Sequence, residues 1–112
     1  MKELTVVVTG SGAPGIAGTL FSLKENPDRR PVKVVGTDIE NDVVGRYLCD
    51  SFRTIPRPSS PDYVSALMDL CYDAGARTIV PQNTAELETI SASIDDFRRE
   101  GIHVVVSPKV AI

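Results

Sequence analysis

Three glycines near the amino terminus are the first candidates for chemistry. Gly10, Gly12 and Gly15 match the pattern GxGxxG directly after an apolar run and before a helical pattern. Glycines at such a place allow a tight turn and let backbone N–H groups approach an anionic ligand at the start of the helix. Asp38 ends the second apolar run, where it could accept hydrogen bonds from ribose hydroxyls. The spacing predicts that the loop holds an anionic group and that Asp38 holds a polar one.

A second explanation of the same glycines involves no ligand. Glycines in a strand-to-helix turn also let the helix pack closely on the sheet. Pro14 removes one of the N–H groups that a phosphate would need. The sequence leaves both explanations of the loop open.

The second candidate is the segment 81–86, which reads Pro-Gln-Asn-Thr-Ala-Glu after the fourth apolar run. Loops at the carboxyl ends of parallel strands carry the ligands of such sheets. Gln82 and Asn83 offer amide donors and acceptors, and Glu86 could bind a cationic or amine group. In the alternative, Asn83 caps a helix, Glu86 completes the capping box, and Gln82 faces solvent. The sequence leaves both the ligand-binding and the helix-capping explanation of this segment open.

Other reactive side chains predict no catalytic centre or metal site. His103 lies within a strand pattern with no Cys, Asp or His at ligand spacing, and Cys71 lies on the apolar face of a helix. Arg46 and Tyr47 could reach the carboxyl ends of the strands, although a packing role is the commoner one for an aromatic side chain. No pair of nucleophile and base can be assembled from these residues.

Strand and helix patterns alternate along the chain, and the predicted strands place the candidate site residues. The unbroken β-branched run at 4–9 is typical of a strand buried on both faces, and it predicts the central strand. Further strands are predicted at 32–38, 52–55, 77–81 and 102–106. The fold class is therefore α/β: a Rossmann-like, three-layer domain with a mostly parallel five-stranded sheet in the order 3-2-1-4-5.

The helices are predicted from apolar spacing and from their end signals. The first follows the glycine loop and ends at Asn26-Pro27, and a short one covers 42–48. A third has Ser60 as its cap and Pro61 at its first position, and Gly75 ends it. A fourth runs without a break from Asn83 to Gly101, and Ser107-Pro108 predicts the start of another.

Composition narrows the class of protein. The 112 residues are 42% hydrophobic and 24% charged, which is typical of a globular domain and argues against disorder. A net charge of -3 with scattered basic residues lacks the basic patch of a nucleic-acid binder. Cys49 and Cys71 form no disulfide framework, and the apolar run at 4–8 is too short for a signal peptide or a membrane span. We expect a cytoplasmic protein with no nucleic-acid or membrane partner.

Taken in order, several motifs resemble one family over essentially the whole chain. The chain is similar to the N-terminal pre-ATP-grasp domain of ATP-grasp enzymes, and within them to short, carbamoyl-phosphate-synthase-like large subunits. The segment after strand four and the Ser-Pro ending distinguish it from ordinary dehydrogenases. The motifs are Val6-Val7-Val8-Thr9-Gly10-Ser11-Gly12, Val35-Gly36-Thr37-Asp38, Pro56-Arg57-Pro58, Asp62-Tyr63-Val64, Ile79-Val80-Pro81-Gln82-Asn83-Thr84-Ala85-Glu86-Leu87 and Val105-Val106-Ser107-Pro108.

The resemblance implies an ATP-dependent ligase that activates a carboxylate as an acyl phosphate and transfers the acyl group to an amine or a similar nucleophile. ATP and Mg would then bind to a downstream ATP-grasp domain that opens with an Asp-Lys pair. Residues 1–112 would form the substrate-side domain, inactive in isolation. The loop departs from the longer motif of true carbamoyl-phosphate synthetase large subunits, so carbamoyl phosphate is not implied as the product.

The family's substrate-side loops carry over to three places in this sequence, and no catalytic or metal-binding residue is implied here. The implied partners are a small-molecule carboxylate or amine and the downstream domain, and the sequence leaves open whether the protein forms a homodimer. The substrate-side residues are Thr9, Gly10, Ser11, Gly12, Asp38, Gln82, Asn83 and Glu86.

Two other functions remain open from the sequence. The glycine pattern with Asp38 also suits an NAD(P)-binding domain of an oxidoreductase or epimerase. A third possible function is that of a free-standing ligand-binding or regulatory module without catalysis.

Overall fold

The valine run near the amino terminus forms the central strand of the sheet. In the computed structural model, residues 3–12 and 15–105 are described. The strands are β1 (Leu4–Val8), β2 (Val32–Asp38), β3 (Ser51–Thr54), β4 (Thr78–Val80) and β5 (His103–Val104). They form one sheet in the order β3-β2-β1-β4-β5, and all four pairings are parallel. The predicted fold class and strand order are confirmed, and β2 has the bounds predicted for it.

Alternate residues of the central strand enter two different cores. Val7 joins a cluster with Val35 and Ile79 on one face of the sheet, whereas Val6 and Val8 join a second cluster on the other face. All three valines of β1 are at most 1% exposed. Burial on both faces explains why the run is continuously apolar instead of alternating.

The helices cover the two faces of the sheet as a three-layer fold requires. Ile16 and Leu20 of the first helix pack with Val6 and Val8, while the third, fourth and fifth helices pack with Val7. The helices are α1 (Ile16–Lys24), α2 (Gly45–Leu48), α3 (Tyr63–Ala74), α4 (Thr84–Ala92) and α5 (Ile94–Arg99).

The start of α3 differs from the prediction by two residues. The helix begins at Tyr63 after Asp62, so Ser60 is not its cap and Pro61 is not its first residue. Ser60 instead stabilises a turn, since its Oγ accepts a hydrogen bond from the Asp62 N–H at 3.2 Å. The predicted end is confirmed: Gly75 is left-handed at φ 69°. Sequence signals in a run of Ser, Pro and Asp fit several starting points equally well.

One predicted helix is two. The helical path breaks at Ser93, which ends α4 and precedes α5. Ile90 and Phe97, on either side of the break, are both fully buried in the same cluster. The apolar spacing continues through the break, and therefore periodicity alone could not locate it.

The second helix and the fifth strand are shorter than predicted, and β3 lies one residue earlier than predicted. The helix predicted at 42–48 begins only at Gly45, and the strand predicted at 102–106 is confined to His103–Val104. The N–H of Val105 still donates to the Ile79 carbonyl at 2.9 Å, so pairing continues one residue further. Val106 and the helix start predicted at Ser107-Pro108 lie outside the described residues.

Asp50 holds the third strand against the second. Its Oδ2 accepts hydrogen bonds from the Val34 N–H at 2.7 Å and from Lys24 Nζ at 2.6 Å. Partial burial acts to raise the pKa of Asp50, but these hydrogen bonds and the lysine charge outweigh it and hold the pKa below its usual value. The contact fixes where β3 starts, and with it the position of the loop that follows.

Gly45 allows α2 to lie directly against the glycine loop. A Cβ at this position would overlap the carbonyl oxygen and the side chain of Ser11. Ser11 cannot move away easily, because it is fully buried and its N–H donates to the Thr37 carbonyl at 2.8 Å. Glycine is therefore required here by close approach of two backbones.

We expect Gly45→Ala to lower the free energy of unfolding by about 1–3 kcal/mol, as overpacking at a rigid contact does. Gly18 in α1 is the matched control, because it is exposed and nothing lies within 4 Å of a Cβ there. Gly18→Ala should stabilise by roughly 0.5–1 kcal/mol, since glycine disfavours helix interiors. Urea unfolding of both variants measures this. Equal effects of the two substitutions would contradict the proposed contact.

Candidate functional site

Four loops meet where the parallel strands end. Those after β2, β3 and β4 line a pocket of about 340 Å³, here called the carboxyl-edge pocket, and the glycine loop after β1 lies beside it, with Gly10 against Glu86. Its lining residues are Asp38, Ile39, Ile55, Pro58, Asn83, Ala85 and Glu86. Three of them, Asp38, Asn83 and Glu86, are predicted site residues from two separate segments. The structure therefore brings these two candidate segments to one place.

Two N–H groups of the glycine loop already have acceptors within the protein. Gly12 donates to Asp38 Oδ2 at 2.9 Å, and Ser11 donates to the Thr37 carbonyl. The other oxygen of Asp38 accepts the Glu40 N–H at 3.1 Å. An anion held by the Gly12 N–H would have to displace a carboxylate of the protein itself. Ala13 and Pro14 lie outside the described residues, so the effect of Pro14 on the loop stays a prediction.

Close packing explains the first two glycines of the pattern. Gly10 has a left-handed φ of 65°, and a Cβ there would lie 2.7 Å from Glu86 Oε1. A Cβ on Gly12 would lie 3.0 Å from Val43 and 3.1 Å from Asp38. Two side chains thus lie against the Cα of Gly12, although the residue is exposed to solvent. These contacts favour the packing explanation for Gly10 and Gly12.

Glu86 is the most buried charged side chain of the site, with 5% exposure. Its Oε2 accepts a hydrogen bond from the Tyr63 hydroxyl at 2.6 Å, and its Oε1 accepts one from Asn83 Nδ2 at 2.8 Å. Half of the predicted capping box is confirmed, because Asn83 Oδ1 accepts the Glu86 N–H at 2.9 Å. The other half is wrong: the carboxylate bonds to the side chains of Asn83 and Tyr63 instead of the Asn83 N–H.

Desolvation is the main influence on the pKa values of Glu86 and Tyr63. Burial raises the pKa of Glu86, and the Asp38 charge adds to the rise, while hydrogen bonds from Tyr63 and Asn83 oppose it. Burial and the adjacent Glu86 carboxylate also raise the pKa of Tyr63. The phenol therefore stays protonated and donates to the carboxylate at neutral pH.

The remaining predicted residues lie around this cluster in different environments. Thr9 is fully buried next to Glu86 and Tyr63, whereas Ser11 faces the opposite side, where its Oγ donates to the Val8 carbonyl at 3.1 Å. Gln82 does not face solvent freely: it is half-buried, and its Oε1 accepts a hydrogen bond from the Thr19 hydroxyl at 3.0 Å.

Tyr63 is the residue of this site that sequence reasoning did not select. It entered only as part of the Asp62-Tyr63-Val64 likeness, yet it is fully buried and bonded to Glu86. The available signal was a large polar aromatic directly after the proline-rich loop, at the predicted start of a helix. Its partner lies 23 residues further along the chain, and local patterns do not reveal such a pairing.

Other side chains considered from the sequence stay outside the site. Tyr47 is 75% exposed on α2, and His103 is exposed on the edge strand. Burial raises the pKa of the Cys71 thiol to about 12, which suits an inert core residue. Within residues 3–12 and 15–105, no group of three or more His, Cys, Asp or Glu side chains could hold a metal ion. No helix in those ranges is long and apolar enough to cross a membrane.

The order of the sheet, with helices on both faces and polar loops at its carboxyl edge, defines a Rossmann-like α/β domain. Residues 7–105 match the family described as PylC-like, N-terminal domain, and the chain belongs to that family. These are N-terminal domains of ATP-grasp enzymes, so the resemblance to a pre-ATP-grasp domain is confirmed. No curated protein matches the chain.

Solved structures share this fold at low sequence identity. Glycinamide-RNase-transformylase T from Mycobacterium tuberculosis superposes with a TM-score of 0.59 and 14% identity, over 89% of this chain and 28% of that one. A branched-chain phosphotransacylase from Enterococcus faecalis V583 superposes with a TM-score of 0.49 and 18% identity, over 78% of this chain and 31% of that one. The chain spans less than a third of either protein, and the first likeness shows the fold alone.

We expect Tyr63→Phe to lower the free energy of unfolding by about 1–3 kcal/mol, because it leaves the buried Glu86 carboxylate without one donor. Tyr72→Phe is the matched control: Tyr72 also donates to a carboxylate, that of Glu100, but this pair is exposed. The Tyr72→Phe variant should have a free energy of unfolding close to that of the wild type. Urea unfolding measures both. A loss of the same size in the two variants would contradict the role of burial.

The raised pKa of Glu86 predicts how stability depends on pH. The folded protein binds the Glu86 proton more tightly than the unfolded chain does, and this contribution is complete below the ordinary pKa of 4.5 and lost as pH rises through the raised value. Measured from below pH 4.5 up to neutral pH, the wild type should therefore lose stability relative to Glu86→Gln, which does not ionise. Urea unfolding across this range tests it, and a constant difference would contradict burial of the charge.

Proposed function

We propose that this protein is the substrate-binding N-terminal domain of an ATP-dependent carboxylate-amine ligase. The observation that carries the proposal is the meeting of Asp38, Asn83 and Glu86 around the carboxyl-edge pocket. A crevice at the carboxyl ends of the strands is where sheets of this type bind their ligands. Its volume of about 340 Å³ lies at the lower end of the range for small-molecule sites.

The lining suits one side of a shared substrate site. Asp38 and Glu86 supply fixed hydrogen-bond acceptors, and Ile39, Ile55 and Pro58 supply apolar walls. Each carboxylate is held in place by the protein, through the Gly12 and Glu40 N–H groups and through Tyr63 and Asn83 respectively. Such groups orient a substrate with little loss of side-chain freedom on binding.

The nucleotide chemistry belongs to a different part of the proposed enzyme. Among the residues that the structure describes, the pocket lining contains two carboxylates and no Lys or Arg side chain, and this set of groups does not suit a triphosphate. We therefore propose that ATP and Mg²⁺ bind in a downstream ATP-grasp domain, which activates the carboxylate as an acyl phosphate. Residues 1–112 would contribute one wall of the substrate site and would be inactive alone.

The finer likeness to carbamoyl-phosphate-synthase-like proteins supports acyl-phosphate chemistry and leaves the product open. The nicotinamide alternative draws no support from the loop, because the Gly12 N–H is already bonded to Asp38. A free-standing binding module would use the same pocket, so the kinetics of the complete enzyme separate it from a ligase domain.

In the enzyme that carries this domain together with an ATP-grasp domain, we expect Glu86→Gln to raise the KM of the small-molecule substrate by roughly tenfold, as loss of a charged hydrogen bond does. The KM of ATP should change by less than about twofold. Steady-state kinetics with each substrate varied in turn measures both constants.

Glu88→Gln is the control, because Glu88 is an exposed carboxylate on the same helix and does not line the pocket. It should leave both KM values as in the wild type. Equal increases in the two KM values of Glu86→Gln would show that the pocket is not a substrate site, and so would unchanged values in both Glu86→Gln and Asp38→Asn.

A further inference from the structure

Two neighbouring helices carry most of the large apolar side chains that remain exposed. Seven such side chains are exposed within the described residues, and four of them belong to α1, to α2 or to the residue directly before α2. The four are Phe21, Val44, Tyr47 and Leu48. Single exposed apolar residues are ordinary on protein surfaces, whereas a cluster of them marks a contact surface.

Three of the four side chains share one face of the second helix. Val44, Tyr47 and Leu48 are spaced i, i+3 and i+4, so they lie next to each other along the helix. Gly45 lies on a different side, where it is buried against Ser11. The helix therefore contacts the glycine loop through its glycine and presents an apolar face to solvent.

Phe21 lies on the side of α1 that faces α2. Lys24 of α1 bonds to Asp50, which follows α2, at 2.6 Å, and Thr19 bonds to Gln82, which follows β4, at 3.0 Å. At about 100° per residue, Phe21 is about 60° around the helix from Lys24 and about 160° from Thr19. Because α1 and α2 are in contact, the four apolar side chains form one surface, here called the α1–α2 surface.

The area of the α1–α2 surface is sufficient for a small dimer interface. With exposed fractions between 47% and 75%, its four residues present roughly 450 Å² of mainly apolar area, about 150 Å² of it from each aromatic residue. Two copies in contact would bury about twice this area, and polar residues at the border bring the total to the roughly 1,000–1,200 Å² of a weak, specific interface. Arg46, whose guanidinium lies 6.0 Å from the centre of the Tyr47 ring, adds a residue type that is enriched at interfaces.

The charges beside this surface are complementary to those of a second copy. Arg46 is exposed on α2, and Glu40 and Asp42 are exposed in the loop before it. None of these three residues belongs to the ion pairs found within the described part of the chain. In a two-fold contact each residue meets a different residue of the other copy, and the reverse contact is also made. A border that carries both signs can therefore pair with itself.

The topology favours a second copy over a downstream domain as the group that covers this surface. The second helix packs against β2 and β3, whereas the chain continues from β5 at the opposite edge of the sheet. The two edge strands are roughly 19 Å apart, because four spacings of about 4.8 Å separate them. The α1–α2 surface is thus turned away from the place where the chain leaves the sheet.

We propose that this chain forms a symmetric dimer through the α1–α2 surface, with Phe21 and Tyr47 of both copies buried at the centre of the contact. Burial of these aromatic side chains drives the association, and Arg46 of each copy lies opposite the acidic loop of the other. The inference is independent of the ligase function, because it depends on an outer surface and not on the carboxyl-edge pocket.

Sedimentation equilibrium of the 112-residue chain measures the association. We expect the mass to rise from near that of a monomer at about 1 μM towards twice that value at about 500 μM, with a Kd of roughly 10–100 μM. Backbone amide shifts of the ¹⁵N-labelled chain on dilution should be confined to residues 16–24 and 40–48. A monomer at all concentrations would overturn the inference, and so would dilution shifts centred on α3 and α5.

Lysine substitutions test which surface is used. Phe21→Lys and Tyr47→Lys should each raise the Kd of the dimer at least about tenfold, because each removes an aromatic anchor and places a charge in the contact. Both also reduce the net negative charge of -3, and this change by itself would favour association. The two residues lie on different helices, so a folding defect in one variant, detected by urea unfolding, leaves the other to decide.

Tyr72→Lys is the matched control. Tyr72 is an exposed tyrosine on α3, which packs on the other face of the sheet, and its substitution changes the charge equally. Its Kd should stay within about twofold of the wild-type value. Weakening of the dimer by Tyr72→Lys to the same extent as by Tyr47→Lys would overturn the inference.

The enzyme that carries this domain together with an ATP-grasp domain separates the two possible occupants of the surface. Phe21→Lys and Tyr47→Lys should shift its monomer–dimer equilibrium towards the monomer, as measured by sedimentation velocity. An unchanged equilibrium combined with a lower melting temperature would assign the surface to the downstream domain and overturn the inference. Neither result bears on the KM values of Glu86→Gln, so failure of the dimer would leave the proposed function standing.

Discussion

Burial of the Glu86 carboxylate is the constraint on which the rest of the site depends. A charged group with 5% exposure is costly unless hydrogen bonds replace its water, and here Tyr63 and Asn83 do so. These partners belong to α3 and to the loop before α4, so the carboxylate connects two helices that pack on the same face of the sheet. Gly10 completes the arrangement, because only a residue without a Cβ fits against Glu86 Oε1. Loss of either hydrogen bond would leave the buried Glu86 carboxylate with too few partners to replace its water.

The glycine loop illustrates how one pattern serves two different purposes in this fold class. In a dinucleotide-binding domain such glycines allow a ligand's phosphates to approach the backbone. In this protein the approaching groups are its own: Asp38 bonds to the Gly12 N–H, and Ser11 contacts the backbone of Gly45. The loop thus orders the acidic residue at the end of β2. The same small residues that would admit a phosphate make room for a carboxylate and a helix.

The same contacts fix the shape of the carboxyl-edge pocket. Asp38 is held by the N–H groups of Gly12 and Glu40, and Glu86 is held by Tyr63 and Asn83. Neither carboxylate can turn away from the pocket without breaking hydrogen bonds within the protein. In the proposed enzyme this wall would therefore present its acceptors to a substrate with little loss of side-chain freedom.

The sequence by itself determined the fold class, the strand order, the bounds of β2, the end of α3 at Gly75 and the cap of α4 at Asn83, because these depend on periodicity, burial and local end signals. It also selected Asp38 and Glu86, since Asp38 ends a buried strand and Glu86 lies in the segment that follows another, and both places are at the carboxyl edge of the sheet. Only the tertiary structure decided that Tyr63 is the partner of Glu86, that the helix after Asn83 breaks at Ser93, and that the Gly12 N–H bonds to Asp38. Each of these depends on which distant residues meet across the sheet, and apolar spacing is the same whether or not they do.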